Sequence, residues 1–211
     1  MKSKVLFFVN IILAISFLNA QELFTESYTL MGSTFELTVV AHDKAEAHEY
    51  IATAKNEIER IELLISSWDS NSETSSINQN AGIMPVEVSK ELWDLINRSQ
   101  QISKITSGAF DLTFAAVDQI WKFDGSDAVM PDADLIKASV SKIGYNQVQL
   151  NKEQLTVFLP QKGMKIGFGA IGKGYAADSA KQLLKNRSYY FIISNLSIQY
   201  TKLYLKLVFI I

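Results

Sequence analysis

Lys165-Ile166-Gly167-Phe168-Gly169-Ala170-Ile171-Gly172-Lys173-Gly174-Tyr175-Ala176-Ala177-Asp178 is the stretch on which the reading of this chain turns. Four glycines and a lysine are packed where a short apolar run, Met164 to Phe168, gives way to a helix-like run ending near Lys185. Glycine lets a backbone approach a ligand closely, and the amides that open a helix attract phosphate. The stretch reads as a phosphate-handling corner. Two familiar patterns match it literally. Gly167-x-Gly169-x-x-Gly172 has dinucleotide-fingerprint spacing, but that fingerprint sits early in a βαβ unit with an acidic residue about 20 positions on. No Asp or Glu follows Asp178. Gly167-x-x-x-x-Gly172-Lys173 opens like a P-loop, yet Gly174 stands where a Ser or Thr would hold magnesium. A glycine-rich turn without a ligand is the third reading, and the rest of the chain must decide.

Outward from this corner, 211 residues allow one large domain or two small ones. A net charge of −2 gives no nucleic-acid surface. The absence of cysteine removes disulfides, thiolate catalysis and thiolate metal sites together. Lys2 and Lys4 precede an apolar run from Val5 to Leu18, and Leu18-Asn19-Ala20 ends it with a small residue. This pattern predicts a secretory leader cleaved after Ala20, because a membrane span needs about 20 apolar residues. Gln21 stands where a lipid anchor would need cysteine, so the mature chain is expected to be exported, periplasmic and soluble. At the other end, Ser188 to Ile211 lacks Gly, Pro, Asp and Glu and is β-prone and apolar. It reads as two buried strands with no turn chemistry between them, or as a truncated or frame-shifted tail.

Between these ends, Glu26–Leu30 and Phe35–Ala41 alternate as strands around Met31-Gly32-Ser33-Thr34. Asp43 is the expected cap of a helix reaching Ile65, with Ile51, Ala54, Ile58, Ile61 and Ile65 on its apolar face. His42 and His48 show no partner at ligand spacing and are expected in solvent. Ser66 to Gly82 reads as a polar loop, in which Trp68 either plugs the core or offers a flat face to a ring. A second helix is predicted from Ser89 to Ile105, burying Leu92, Leu95, Ile96 and Ile102. After Ser107-Gly108-Ala109-Phe110-Asp111-Leu112-Thr113 an apolar stretch leads to Trp121, and a loop follows from Asp124 to Pro131. A short helix is predicted from Asp132 to Val140, a hairpin from Gln147–Leu150 to Leu155–Leu159, and a strand over Met164–Phe168. Helices and strands interleave without strict βα repeats, which predicts an α+β fold.

Four of these stretches, in this order, resemble the ApbE family of FAD:protein FMN transferases, or flavin transferases. They are Met31-Gly32-Ser33-Thr34-Phe35, the Ser66-to-Asn78 loop with Ser72-Glu73 and Asn78, Ser107 to Thr113 with Trp121 following, and Gly169 to Asp178. The resemblance covers roughly residues 26 to 186. It implies a T-fold-related mixed sheet with packed helices, and a reaction in which FAD is split at its pyrophosphate. AMP leaves, and FMN is joined by a phosphoester to a Thr or Ser of an exported or membrane redox protein. Acceptors it implies are quinone reductase subunits, electron-transport complex subunits and FMN-binding domain proteins. It further implies magnesium, with the Ala170 carbonyl as a ligand, and Lys173 as the cation beside the FAD phosphates. Trp68 matches an aromatic that stacks on the isoalloxazine, and Met31 a residue lining the same pocket. Ala109, Phe110 and Asp111 match the adenosine side, and Gly167 stands where many relatives carry an acidic residue that contacts FAD.

The same resemblance marks departures. Relatives continue with an Asn-x-Gly-Gly-Asp-like turn, a Ser-Gly-x-Tyr segment, a His-x-x-x-Pro segment and an Asp-x-x-x-Thr metal pair, none of which occurs here. The expectation is a leader over 1–20, the N-terminal part of a flavin transferase domain over 21–187, and an atypical tail over 188–211, with the C-terminal part of the fold missing. Transfer by such a chain alone is expected to be weak or absent. An FAD-binding module and an FAD pyrophosphatase are the competing readings, ahead of an inert fragment and a P-loop hydrolase.

Overall fold

The computed structural model describes residues 21–120, 130–186 and 191–197. The predicted leader, Trp121, most of the loop predicted from Asp124 and the tail beyond Ser197 lie outside the described residues. The fold is α+β, and the chain divides into two compact units, one running to Glu59 and resuming at Gly174, the other Arg60–Lys173.

In the first unit, strands β1 (Glu22–Leu30) and β2 (Ser33–Ala41) form an antiparallel hairpin in which Leu30 faces Ser33 and Glu22 faces Ala41. The two-residue turn places Met31 at φ 51° and Gly32 at φ 69°, as a primed turn between right-twisted strands requires. Along β2, Phe35, Leu37, Val39 and Ala41 are buried while the residues between them are not. Burying each of the larger ones contributes about 1.5–3 kcal/mol. The third strand of this sheet is β6 (Phe191–Ser197), sixth in chain order, which pairs antiparallel with the free side of β2. Part of the turnless tail is thus sheet backbone.

Helix α1 (Lys44–Ile65) begins where Asp43 was expected to cap it, its Oδ1 accepting from the amides of Ala45 and Glu46 at 2.8 and 2.9 Å. All five predicted apolar positions, Ile51 to Ile65, are buried. The two histidines are exposed, yet both have carboxylate partners, which corrects the expectation. His42 Nδ1 lies 2.9 Å from Glu46 one helical turn on, and His48 Nδ1 lies 3.6 Å from Glu26 across the sheet edge. Period alone missed these pairs, because the first needs the cap to turn His42 back over the helix.

The second unit holds helices α2 (Glu73–Gln79), α3 (Lys90–Ile105) and α4 (Ala133–Val140). It also holds a 3₁₀ helix over Leu112–Gln119 and the antiparallel sheet β3 (Val86–Glu87), β5 (Thr156–Phe158), β4 (Gln149–Asn151). Helix α2 falls inside the stretch expected to be a polar loop. Its polarity is internal: Ser72 Oγ accepts from Ser75 N at 2.9 Å, and Thr74 Oγ1 donates to Leu64 O at 3.1 Å. The Ser72 and Ser75 hydroxyls both donate to Ser66 O. Hydroxyls therefore satisfy the carbonyls left open where α1 ends, and Thr74, Ser75 and Ile77 are buried without an apolar stripe.

Helix α3 keeps its predicted bounds, capped by Ser89 Oγ, with Leu92, Leu95 and Ile96 buried; Trp93 joins them, while Ile102 is half-buried. The predicted strand over Met164–Phe168 is not one. Met164, Ile166 and Phe168 are buried in strand-like alternation, but among the described residues no strand pairs with them. Helix α5 (Gly172–Asn186) follows, and Ser179 on it donates to Glu57 of α1 at 2.6 Å within the first unit. No described helix is long and apolar enough to cross a membrane.

The start of α1 carries a pH signature. The backbone amide of His42 donates to Glu46, as does the Tyr50 hydroxyl, and together with the His42 ring they hold the Glu46 carboxyl at about 2 against an ordinary 4.5. A depressed carboxyl contributes stability in full above its ordinary value and loses it as pH falls through the folded one. Glu46→Gln is therefore expected to melt earlier at neutral pH, with the gap to the unaltered protein closing between pH 4.5 and about 2. Melting curves across that range check it, and a gap independent of pH would count against the pairing.

Candidate functional site

Two of the four motif stretches meet at Ile166 and Gly167, immediately before a third begins at Gly169. Asn78, from the end of α2, accepts from Ile166 N through Oδ1 at 2.8 Å and donates to Ile166 O through Nδ2 at 3.0 Å. One side chain thereby does for Ile166 what a neighbouring strand would do. Gly167 N donates to Leu112 O at 2.9 Å, immediately after the Ala109-Phe110-Asp111 run. A Cβ on Gly167 would come 2.9 Å from that of Ala115 on the 3₁₀ helix. Glycine at 167, where the resemblance leads one to expect an acid, thus follows from close packing: a side chain there has to displace Ala115.

Beyond Gly167 the chain turns sharply, with the amides of Ile171 and Gly172 both donating to Phe168 O at 3.0 and 2.6 Å. Gly169 and Ala170 are exposed in this turn. A Cβ on Gly169 or on Gly174 would meet nothing within 4 Å, and neither residue has a positive φ. The fold does not require glycine at either place, which leaves close approach by a ligand as the physical use of the missing side chains. Lys173 is half-buried in the first turn of α5, and that turn carries no acidic residue. Among the described residues its Nζ makes no ion pair or hydrogen bond. A cation there opposes the helix dipole, at a cost of roughly 0.3–1 kcal/mol. An anion at the turn removes that cost.

Trp68 does not plug the core. It is 80% exposed, on a turn in which Ser66 Oγ accepts from the amides of Trp68 and Asp69. Ala109 is exposed and Phe110 half-buried, next to the left-handed pair Ser107 (φ 52°) and Gly108 (φ 83°) that closes α3. Asp111 is largely committed within the protein: Oδ1 accepts from Thr113 N and Oγ1 at 2.8 and 2.6 Å, and Oδ2 from Tyr145 N at 2.9 Å. A carboxylate has about four lone-pair sites, so one is left for a ligand. Met31 belongs to the other unit, and is a non-glycine residue held in the left-handed region, a local cost typical of ligand-bearing turns.

Sequence reasoning named Asn78 within a motif but gave it no role. It also passed over Asp118, a lone charge inside an apolar stretch. Burial pushes the Asp118 carboxyl above its usual range, against the pull of nearby Lys165. For a metal the donor set is thin. Ala170 offers a backbone carbonyl, and among the described residues no three His, Cys, Asp or Glu side chains gather as a metal-holding group. Magnesium asks for near-octahedral oxygen coordination, so these residues do not by themselves make its site.

Asn78→Leu keeps side-chain volume but leaves the amide and carbonyl of Ile166 without partners. At about 1–3 kcal/mol for each of these two buried groups left unpaired, the variant is expected to lose about 2–6 kcal/mol of stability. Urea unfolding measures this, and a loss below about 1 kcal/mol would mean that the pairing matters little.

The ApbE family, as a family model, matches residues 31–196. An FAD:protein FMN transferase of Klebsiella pneumoniae (strain 342) is 32% identical over 164 residues, covering 78% of this chain and 51% of that protein. One from Treponema pallidum (strain Nichols) is 30% identical over 145 residues, covering 66% and 40%. The chain spans about half the length of the curated relatives it matches. Among solved structures, the ApbE protein of Thermotoga maritima superposes with a TM-score of 0.73 at 24% identity, over 82% of this chain and 55% of that one. The flavin transferase ApbE of Vibrio cholerae does so with 0.75 at 18%, over 83% and 58%. These two likenesses carry the fold. With the family match over most of its length, this chain belongs to the ApbE family.

Proposed function

We propose that this chain carries the FAD-binding part of an FAD:protein FMN transferase. The observation that bears most weight is the meeting of two motif stretches at Ile166–Gly167, just before the glycine corner, with Gly169 and Gly174 unobstructed and Lys173 without an ion pair among the described residues. The names of the relatives support the reaction. In it, an acceptor hydroxyl oxygen attacks the phosphorus on the FMN side of the pyrophosphate. The bond from that phosphorus to the bridging oxygen breaks, AMP leaves with that oxygen, and the hydroxyl proton passes to solvent.

Phosphoryl transfer is mainly positioning and charge neutralisation. Lys173 supplies the cation for the phosphates, assisted by the amides of the Gly169–Gly172 turn. Exposed Trp68 offers its face to the isoalloxazine, and Ala109, Phe110 and Asp111 meet the adenosine. Magnesium is the metal we propose for the whole protein, although the described residues hold only one ligand for it. The proposed acceptor is an exported redox protein with a Ser- or Thr-bearing motif, such as a quinone reductase or electron-transport complex subunit or an FMN-binding domain protein. Export would follow from the leader, and N-terminal sequencing of the mature protein is expected to begin at Gln21; retention of Met1 would remove the periplasm from the proposal.

The decisive assay offers FAD, magnesium and an acceptor peptide, and reads peptide mass and AMP. A gain of one FMN on the peptide with matching AMP supports transfer. AMP with unchanged peptide points to a pyrophosphatase, and FAD binding without AMP to a binding module. Lys173→Ala is expected to slow transfer roughly a hundredfold while weakening FAD binding far less. Equal losses would deny Lys173 a transition-state role. Gly169→Ala is expected to leave the melting temperature unchanged and to weaken FAD binding, whereas a drop in melting temperature would return this glycine to the fold.

A further inference from the structure

The Asp111 carboxylate is bound up in holding another residue. Its Oδ2 fixes the amide of Tyr145 at 2.9 Å, and Thr113 Oγ1, itself donating to Asp111 Oδ1, accepts from Gly144 N at 2.8 Å. On the other side, Gln100 Nε2 from α3 donates to the carbonyls of Tyr145 and Val148 at 3.0 and 2.7 Å. The backbone of Tyr145 is thus pinned at both its amide and its carbonyl. Its ring is half-buried and rests beside the left-handed Gly108, where Cε1 would stand 3.6 Å from an added Cβ. Among the described residues its hydroxyl has no hydrogen-bond partner. A buried tyrosine usually ties its hydroxyl to the protein. Here an aromatic on a pinned backbone, its hydroxyl without a partner among the described residues, flanks the loop that carries Ala109 and Phe110.

We infer that Tyr145 is a purine-recognition residue, its ring packing against the adenine of FAD, and that Asp111 acts as the positioning residue that aims it. The inference rests on the proposal that the Ala109–Asp111 loop meets the adenosine half. It adds a residue that the chain's motifs do not single out, and changes the part played by Asp111. Stacking suits this task because an adenine has a π-face whatever its hydrogen bonds, and a pre-seated ring loses little freedom on binding.

FAD and FMN share the flavin and one phosphate but differ in the adenosine, so comparing them isolates the subsite. Flavin-fluorescence titrations of the unaltered protein, Tyr145→Ala and Tyr145→Phe would be run with each. Tyr145→Ala is expected to weaken FAD roughly ten- to hundredfold, as loss of a base-stacking ring does, with FMN affinity unchanged. Tyr145→Phe is expected to keep most FAD affinity. Tyr145→Leu, which fills the same space beside Gly108 without a π-face, is expected to retain the melting temperature and still lose FAD selectivity. Equal weakening of FAD and FMN, or unchanged FAD affinity in the Ala and Leu variants, would overturn the inference and leave the flavin reading standing. An unaltered protein that binds FMN as tightly as FAD would overturn the adenosine subsite itself, and one that binds neither would overturn both.

Discussion

The side-chain amide of Asn78 standing in for a β-strand is the constraint on which the site depends. Met164 to Phe168 has a strand's alternating burial, and a buried strand needs partners for its amides and carbonyls. A neighbouring strand would run along the whole segment and cover the turn that follows. An amide side chain instead satisfies a single residue, Ile166, and leaves the Gly167 amide free for Leu112. Two segments far apart in the chain can then grip adjacent residues, and the backbone emerges unobstructed at Gly169. The arrangement reaches back further still. Asn78 is aimed by α2, and α2 exists because the hydroxyls of Ser72, Thr74 and Ser75 satisfy open carbonyls at the end of α1.

Local conflicts gather at the same motifs. Met31 occupies a backbone region that favours glycine or asparagine, Lys173 sits at the wrong pole of its helix, and Trp68 leaves its large apolar surface in water. Each is unfavourable on its own terms. Sequences that fold well are otherwise locally consistent, so departures of this kind concentrate where a ligand supplies what the protein omits. Under the proposed function, a flavin dinucleotide brings both a ring and phosphates, the two things that Trp68 and Lys173 want for.

Much of the fold was legible because it is periodic or capped. The five apolar positions of α1, the Asp43, Ser89 and Asp132 caps and the hairpin around Asn151 announce themselves in short windows. Helix α2 was not legible, since its stability comes from hydroxyl-to-carbonyl bonds that leave no hydrophobic period. Met164–Phe168 showed a strand's pattern correctly and a strand's pairing wrongly, because the pattern reports burial while pairing depends on a residue 88 positions away. The glycine corner was visible as chemistry from the outset. What the letters could not tell is which glycines the fold itself demands: Gly167 is held by Ala115, whereas Gly169 and Gly174 face open space. Nor could they show that Asp111 is mostly engaged with Thr113 and Tyr145.

The β1–β2 hairpin has one more implication. Its loop is two residues long with both in left-handed conformations, and it sets a register running from Leu30 opposite Ser33 to Glu22 opposite Ala41. Because side chains alternate faces, adding or removing one residue in that loop would slide the strands and turn a whole face of β1 from the core side to water. Substitutions at Met31 would alter what the turn presents, while a change of length would dismantle the sheet behind it. The hairpin is therefore a place where spacing counts for more than spelling.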